Sequence, residues 1–358
     1  MTPDPHGAPH LAVTDGGLFS TLQDAGRFGY QRFGISGSGA MDPAAMRLAN
    51  ALVGNPPGTA VVEMTMTGLA FTVVADACRI ALAGAEMALT INGRPAEPLQ
   101  AHDLARGDRV AIGRARTGMR ACLAIAGGLD VAPVLGSVST HTRSGLGGLD
   151  GGPLRAGTVL PLRGGGAGPL LRQGRRHLAP AEGPLRVVLG PQADAFTPAG
   201  LATFLSATYT LSTRADRMGC QLEGPAVEHA AGFNIVSDGI ANGSVQVPGH
   251  GRPIVLLADR QSTGGYPKIA TVIGPDLGRL AQLRPGDTLS FTAIDAREAA
   301  EAARRAAAAL EDAIAAMEPV VLGAAALSSE RLLGLNLVSG VASAAHDPFC
   351  PYPPSHPS

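Results

Sequence analysis

The nine residues ARGDRVAIG, 105–113, set the reading of the fold: a turn containing glycine feeds a short alternating strand. The same form returns as LRAGTVLPL, 154–162, and as LRPGDTLSF, 283–291. Turn-and-strand units this far apart point to two related β-modules. Working outward, further β-type runs fill the chain: AFTVVA (70–75), RIALAGA (79–85), ALTING (88–93), RVAIG (109–113) and RACLAIAGG (120–128) in the first part. LRVVLG (185–190), IVLLAD (254–259), KIATVIG (268–274) and DTLSFTAI (287–294) follow in the second. Runs of this length between Gly, Asn and Pro predict a mainly β protein of barrels or sandwiches.

Composition agrees. Gly 48 and Pro 28 in 358 residues favour many short strands and turns over long helices. The length predicts two domains, and LRGGGAGPLLRQGRRHLAPAEGPL, 162–185, reads as the linker between them. We therefore expect a first module over 11–175 and a second over 183–294. Few helices are expected. In MDPAAMRLANALVGN, Asp42 suits the N-cap, Pro43 the first helical position, and Gly54 the stop. Residues 295–318 read as an Ala-rich helix opened by a capping box of Asp295 and Glu298. Its apolar stripe of Leu310, Ile314 and Met317 is thin, which predicts a helix on the surface or against a partner, with a poorly ordered tail over 319–358.

A net charge of −1 without a basic run excludes nucleic acid and an anionic membrane surface as evident partners, and the absence of Trp argues against aromatic stacking platforms. Cys78, Cys122, Cys220 and Cys350 form no CxxC pair and read as reduced thiols; nine histidines show no HExxH or HxH spacing, so no metal site is expected. MTPDPHGAPH lacks the features of a secretory signal, and no uncharged apolar run approaches a membrane span. A cytoplasmic protein is expected.

Three polar constellations carry the candidate chemistry. In TLQDAGRFGYQRFGISGSGAMD, 21–42, Gln23, Asp24, Arg27 and Tyr30 either meet a ligand or make a turn-rich β-entry with an Asp24–Arg27 ion pair. HTRSGLGGLDGG, 141–152, does not match a P-loop, and leaves His141 and Arg143 as substrate contacts or solvated loop residues. The third comprises RADRMGCQLEGP (214–225) and SDGIANGSVQVPGHGRPIVLLADRQSTGGYPKIATVIG (237–274), and contains Lys268, the only lysine of the chain. Here Gly264 and Gly265 permit close backbone approach, Pro267 holds Tyr266 extended, and Lys268 begins a strand. Arg217, Glu223, Gln246, Asp259, Arg260 and Gln261 complete the set. Asp259 or Glu223 with Lys268 makes either a proton-transfer pair or an ion pair that fixes a hairpin.

TLQDAGRFGYQRFGISGSGAMD, ANALVGN, RMGCQLEGP and ADRQSTGGYPKIATVI together resemble the family of the C subunit of bacterial ATP-dependent 5-oxoprolinase. That family also includes the corresponding part of urea amidolyase, a biotin-dependent carboxyltransferase also called allophanate hydrolase subunit 2, and a kinase-inhibiting regulator of sporulation. The resemblance covers roughly 11–294 and implies two cyclophilin-like β-barrel modules. It further implies work in a complex with a homologous B subunit and a lactam-utilisation-type A subunit, on a small amide, with ATP and Mg. A biotin carboxyl carrier enters only under the carboxyltransferase alternative, and a non-catalytic regulator is the third. On this reading Lys268, Arg217 and Arg260 supply positive field, Asp259 or Asp24 orients the substrate, and Cys220 departs from the aromatic residue that usually follows RMG.

Overall fold

The computed structural model describes residues 8–165, 168–174 and 182–320; the tail expected over 319–358 lies almost entirely outside them. Two largely antiparallel sheets account for most of the strands. The first has nine strands, with the order Phe19–Gln23, Val61–Thr65, Arg109–Ile125, Ala70–Val73, His10–Asp15, Val159–Pro161 along its main path. The second has eight: Thr288–Leu289, Tyr209–Ala215, Gly219–Glu223, Ile254–Leu256, Ser244–Gln246, Lys268–Val272, Leu185–Leu189, Phe291–Ala293. Its last two strands pair in parallel. The chain is mainly β, and its curled sheets carry the two-module architecture expected of the sequence.

Four runs that read as separate strands are two long ones. RIALAGA and 88–91 of ALTING lie in the 15-residue strand Ala77–Ile91, and RVAIG and 120–125 of RACLAIAGG in the 17-residue strand Arg109–Ile125. Glycines bend both strands. Gly84 (φ 108°) and Gly118 (φ 69°) take left-handed conformations where the pairing of the two strands slips. The bend has a use: Gln282 accepts from the amides of Met119 and Arg120 at 2.9 and 3.0 Å. Arg284 donates to the carbonyls of Gly118 and Ala115 at 2.7 and 2.9 Å. A Cβ on Gly118 would stand 2.7 Å from the Gln282 Oε1, so glycine is required where the second sheet's helix end docks.

Alternation along the long strands sorts the core. Ile80, Leu82, Ala121, Leu123 and Ile125 face the first sheet's interior. Ala81, Ala83, Cys122, Ala124 and Ala126 face α1 (Pro43–Leu52), and their small side chains let the helix lie close. α1 starts as expected, with the Asp42 carboxylate accepting from Ala45 N. Met41, one residue earlier, is buried in the core of the second sheet.

Three further α-helices lie among the described residues: α2 (Pro198–Ser206), α3 (Gly274–Gln282) and α4 (Ala296–Ala315). α2 and α3 were not foreseen. KIATVIG reads as strand throughout, but the strand stops at Val272 and Pro275 sits in the first turn of α3. IVLLAD likewise pairs only over Ile254–Leu256 before turning. α4 has both halves of the Asp295–Glu298 capping box. Its stripe is covered within the chain: Leu310 is buried among α1 residues, and Arg47 of α1 pairs with Glu311.

Candidate functional site

The sequence candidates divide among four places. The first is the joint between the sheets. Arg217 lies in the turn from Tyr209–Ala215 to Gly219–Glu223, where Asp216 caps the amides of Met218 and Gly219 at 2.7 and 3.2 Å. The buried guanidinium donates from Nε and Nη2 to both oxygens of Asp259 at 2.9 and 3.0 Å. It donates from Nη1 to Glu63 at 2.5 Å and from Nη2 to the Gly39 carbonyl at 2.7 Å. Glu63 accepts in turn from Met41 N at 2.6 Å. Burial alone would favour loss of the Arg217 proton, but Glu63 and Asp259 overrule it and raise the guanidinium above its ordinary value. Arg260, next in the chain after Asp259, is also buried and donates to the carbonyls of Ile240 and Leu257 at 3.0 and 3.4 Å. Burial lowers its pKa, with Asp259 opposing.

The second place lies under the loop 134–148. Asp24 accepts from Gly26 N (2.8 Å), Ser137 Oγ (2.6 Å), Ser139 Oγ (2.5 Å) and Val138 N (2.8 Å). Arg27 donates to the carbonyls of Val134, Ser137 and Ser139 at 2.9, 3.2 and 3.0 Å. Both hold the same loop, in place of the Asp24–Arg27 ion pair considered from the sequence. Gln23 donates to Thr140 O at 2.9 Å. His141 is buried; its Nδ1 accepts from Ser144 N at 3.1 Å, so its Nε2–H donates to Asp259 O at 3.2 Å. Tyr30 is half-buried, and the neighbouring Gln31 reaches the carbonyl of Ile240 at 2.8 Å.

The third place gathers Lys268, Gln246, Gly264, Gly265 and Tyr266. Lys268 opens the strand Lys268–Val272 opposite Gln246. Its ammonium, on a side chain only 4% exposed, donates to Asp238 Oδ2 at 2.6 Å, while Asp238 itself is 51% exposed. Neither Asp259 nor Glu223 is its partner. Asp238 sits in a two-strand ribbon, Asp238–Gly239 against Thr263–Gly264, and also accepts from Gln192 Nε2 at 3.1 Å and Gly239 N at 2.8 Å. The hydrogen bond from Lys268 chiefly, then those from Gly239 and Gln192, hold the Asp238 carboxyl below its usual range. Gln246 donates to Tyr266 O at 3.2 Å, and a Cβ on Gly264 would lie 2.7 Å from both Gln246 Nε2 and Ile240 Cδ1. An ammonium has three donors, and this one makes a single hydrogen bond among the described residues. The enclosed ammonium therefore keeps two N–H groups beyond its bond to Asp238. Gln261 lies nearby in sequence and is exposed.

Glu223 is in a fourth place, on the outer face of the second sheet with Arg214 and Arg252. The residues that sequence reasoning missed are Asp238, Gln192 and Glu63. A buried lone lysine signals that an acid must be near, yet the choice of Asp238 depends on how the ribbon folds back. Among the described residues no three His, Cys, Asp or Glu side chains converge to hold a metal, and no helix is long and apolar enough to cross a membrane. Cys78, Cys122 and Cys220 are free and buried.

The family model described as carboxyltransferase domain, subdomain A and B, matches residues 33–293. The C subunit of 5-oxoprolinase from Escherichia coli (strain K12) is 36% identical over 292 residues, 82% of this chain and 94% of that protein. Its namesake from Haemophilus influenzae is 36% identical over 286 residues, 79% of this chain and 90% of its own. Among solved structures, the urea amidolyase of K. lactis superposes with a TM-score of 0.80 at 26% identity, covering 90% of this chain and 21% of that one.

Proposed function

We propose, from the premise that this chain belongs to the carboxyltransferase family of subdomains A and B, that it serves as the C subunit of an ATP-dependent 5-oxoprolinase. The observation that carries this is the 36% identity to the E. coli protein over 94% of that protein's length, which leaves no major part of the relative unmatched. On this reading the chain works in the cytoplasm with a homologous B subunit and a lactam-utilisation-type A subunit, and the complex converts 5-oxoproline to glutamate. The two sheets are then the modules 11–175 and 183–294, joined by Arg217.

A lactam is resonance-stabilised, and opening it requires that oxygen charge be stabilised where it develops. Lys268 supplies that charge. Asp238 holds and aims the ammonium, Gln192 ties Asp238 to the Lys268 backbone N–H, Gly264 and Gly265 let the substrate approach the ribbon backbone, and Tyr266 borders it. Arginine in place of Lys268 would bring a planar fork too large for a side chain enclosed at this depth. Asp259, Asp24, Arg27 and Arg217 act by fixing the loops around this ribbon. Bound in the complex, ATP and Mg would supply the chemistry that activates the lactam. The sequence has no GxxxxGK[ST] loop, and among the described residues no three His, Cys, Asp or Glu side chains converge, so no step is routed through either group.

The test is ATP-dependent release of glutamate from 5-oxoproline by the chain mixed with its neighbouring-gene subunits. Activity lost in Lys268→Arg and Lys268→Met, with assembly intact, is the expected result; full activity in both removes Lys268 from the mechanism. The likeness to the K. lactis urea amidolyase favours a second reading, transfer of a carboxyl group from a biotin carrier to urea. Bicarbonate-dependent urea carboxylation with no turnover of 5-oxoproline would establish it.

A further inference from the structure

The outer face of the second sheet carries a cleft of about 260 Å³ that the proposed reaction leaves unused. Its wall is made by three neighbouring strands, Tyr209–Ala215, Gly219–Glu223 and Ile254–Leu256. Between Leu211 and Ala215 the pairing slips, and 212–214 bulge outward, with Ser212 Oγ accepting from Arg214 N at 3.0 Å. Bulges of this kind re-aim side chains, and this one sets Arg214 on the rim. Arg252 stands across the cleft, with Gln221 and Glu223 between them on the middle strand. The His250 Nδ1 accepts from Arg252 N at 3.0 Å, which leaves its Nε2–H as a further donor.

None of Arg214, Glu223 and Arg252 enters an ion pair or a hydrogen bond through its charged group among the described residues. Arg79 and Arg186, by contrast, are paired with Asp103 and Asp276. We propose that this cleft binds a small dicarboxylate bearing an ammonium group, the chemistry of an acidic α-amino acid. Each guanidinium donates to one carboxylate, in the bidentate manner that favours arginine over lysine. Glu223 takes the ammonium. The two cations and one anion of the site match the two anions and one cation of the ligand, and the volume suits a molecule of that size rather than a nucleotide. A bare phosphate would satisfy the guanidiniums but meet repulsion from Glu223. The proposal does not depend on which reaction the complex performs.

Calorimetric titration of the full chain with L-glutamate, L-aspartate, succinate and inorganic phosphate tests it. We expect saturable binding of the two amino acids and weaker binding of succinate. Arg214→Ala and Arg252→Gln should each weaken glutamate binding roughly tenfold or more, the loss of one charge-assisted contact. Glu223→Gln should abolish the preference for glutamate over succinate. Unchanged thermal unfolding of these exposed-site variants verifies that they fold. No saturable binding, phosphate binding more tightly than the amino acids, or glutamate binding that Lys268→Met removes and Arg214→Ala leaves intact would each overturn the proposal.

Discussion

Replacing Arg217 by methionine removes the charge at the centre of the joint while keeping much of the side-chain volume. Four hydrogen bonds disappear: two to Asp259, one to Glu63 and one to the Gly39 carbonyl. Glu63 and Asp259 are 1% and 3% exposed, so two carboxylates remain buried without their counter-ion. Breaking a buried pair from one side costs roughly 3–5 kcal/mol, because the abandoned charge must be desolvated without compensation. Met41 N still donates to Glu63, which places the expected loss near the lower end of that range. The assay is equilibrium unfolding in urea, with m-values compared so that a shifted midpoint reflects stability alone. A triple variant with Glu63→Gln and Asp259→Asn as well should recover much of the loss, since neutral amides lack the charge penalty. A loss under about 1 kcal/mol for Arg217→Met, or no recovery in the triple variant, would refute the account of the joint as a charge-satisfied core.

Other consequences are simpler to test. Because the Asp238 carboxyl is held below its usual value in the folded protein, its contribution to stability is present above the unfolded value and lost as pH falls through the folded one. The stability difference between the wild type and Asp238→Asn should therefore shrink on acidification below about pH 4 and stay constant above it, as followed by thermal unfolding across pH. Gly264→Ala forces a Cβ to within 2.7 Å of Gln246 and Ile240, and should destabilise by about 1–3 kcal/mol and disturb turnover by the reconstituted complex. Burial pushes the Cys78 thiol up to about 12 and the Cys220 thiol up to about 11, and that of Cys122 well above its ordinary value. At pH 8 a thiol reagent should leave all three unmodified in the native protein and label them on unfolding, as read by peptide mass.

What lay open in the sequence was local. The Asp42 cap with Pro43, the capping box of Asp295 and Glu298, and the β-character of the runs around 79–128 depend on contacts a few residues apart and were legible. Lys268, as the only lysine, drew attention by itself, and Gln246, Gly264, Gly265 and Tyr266 do gather about it. The family motifs, continuous over long stretches, announced membership that the match over 33–293 shows.

Other outcomes needed the folded chain. Gly118 reads alike in sequence whether it ends a strand or bends it; the docking of Gln282, 162 residues beyond Arg120 in sequence, takes up the amides that the bend presents. Glu63 is 154 residues from Arg217, and no local pattern singles it out among the acids. The same holds for Lys268: Asp259 is nearer in sequence, but its two oxygens are taken by the Arg217 fork, and Asp238 reaches the ammonium because the ribbon folds back upon Thr263–Gly264. Propensity and capping are settled by neighbours along the chain. Charge pairing is settled by which buried groups the two sheets leave in need of a counter-ion once they have packed.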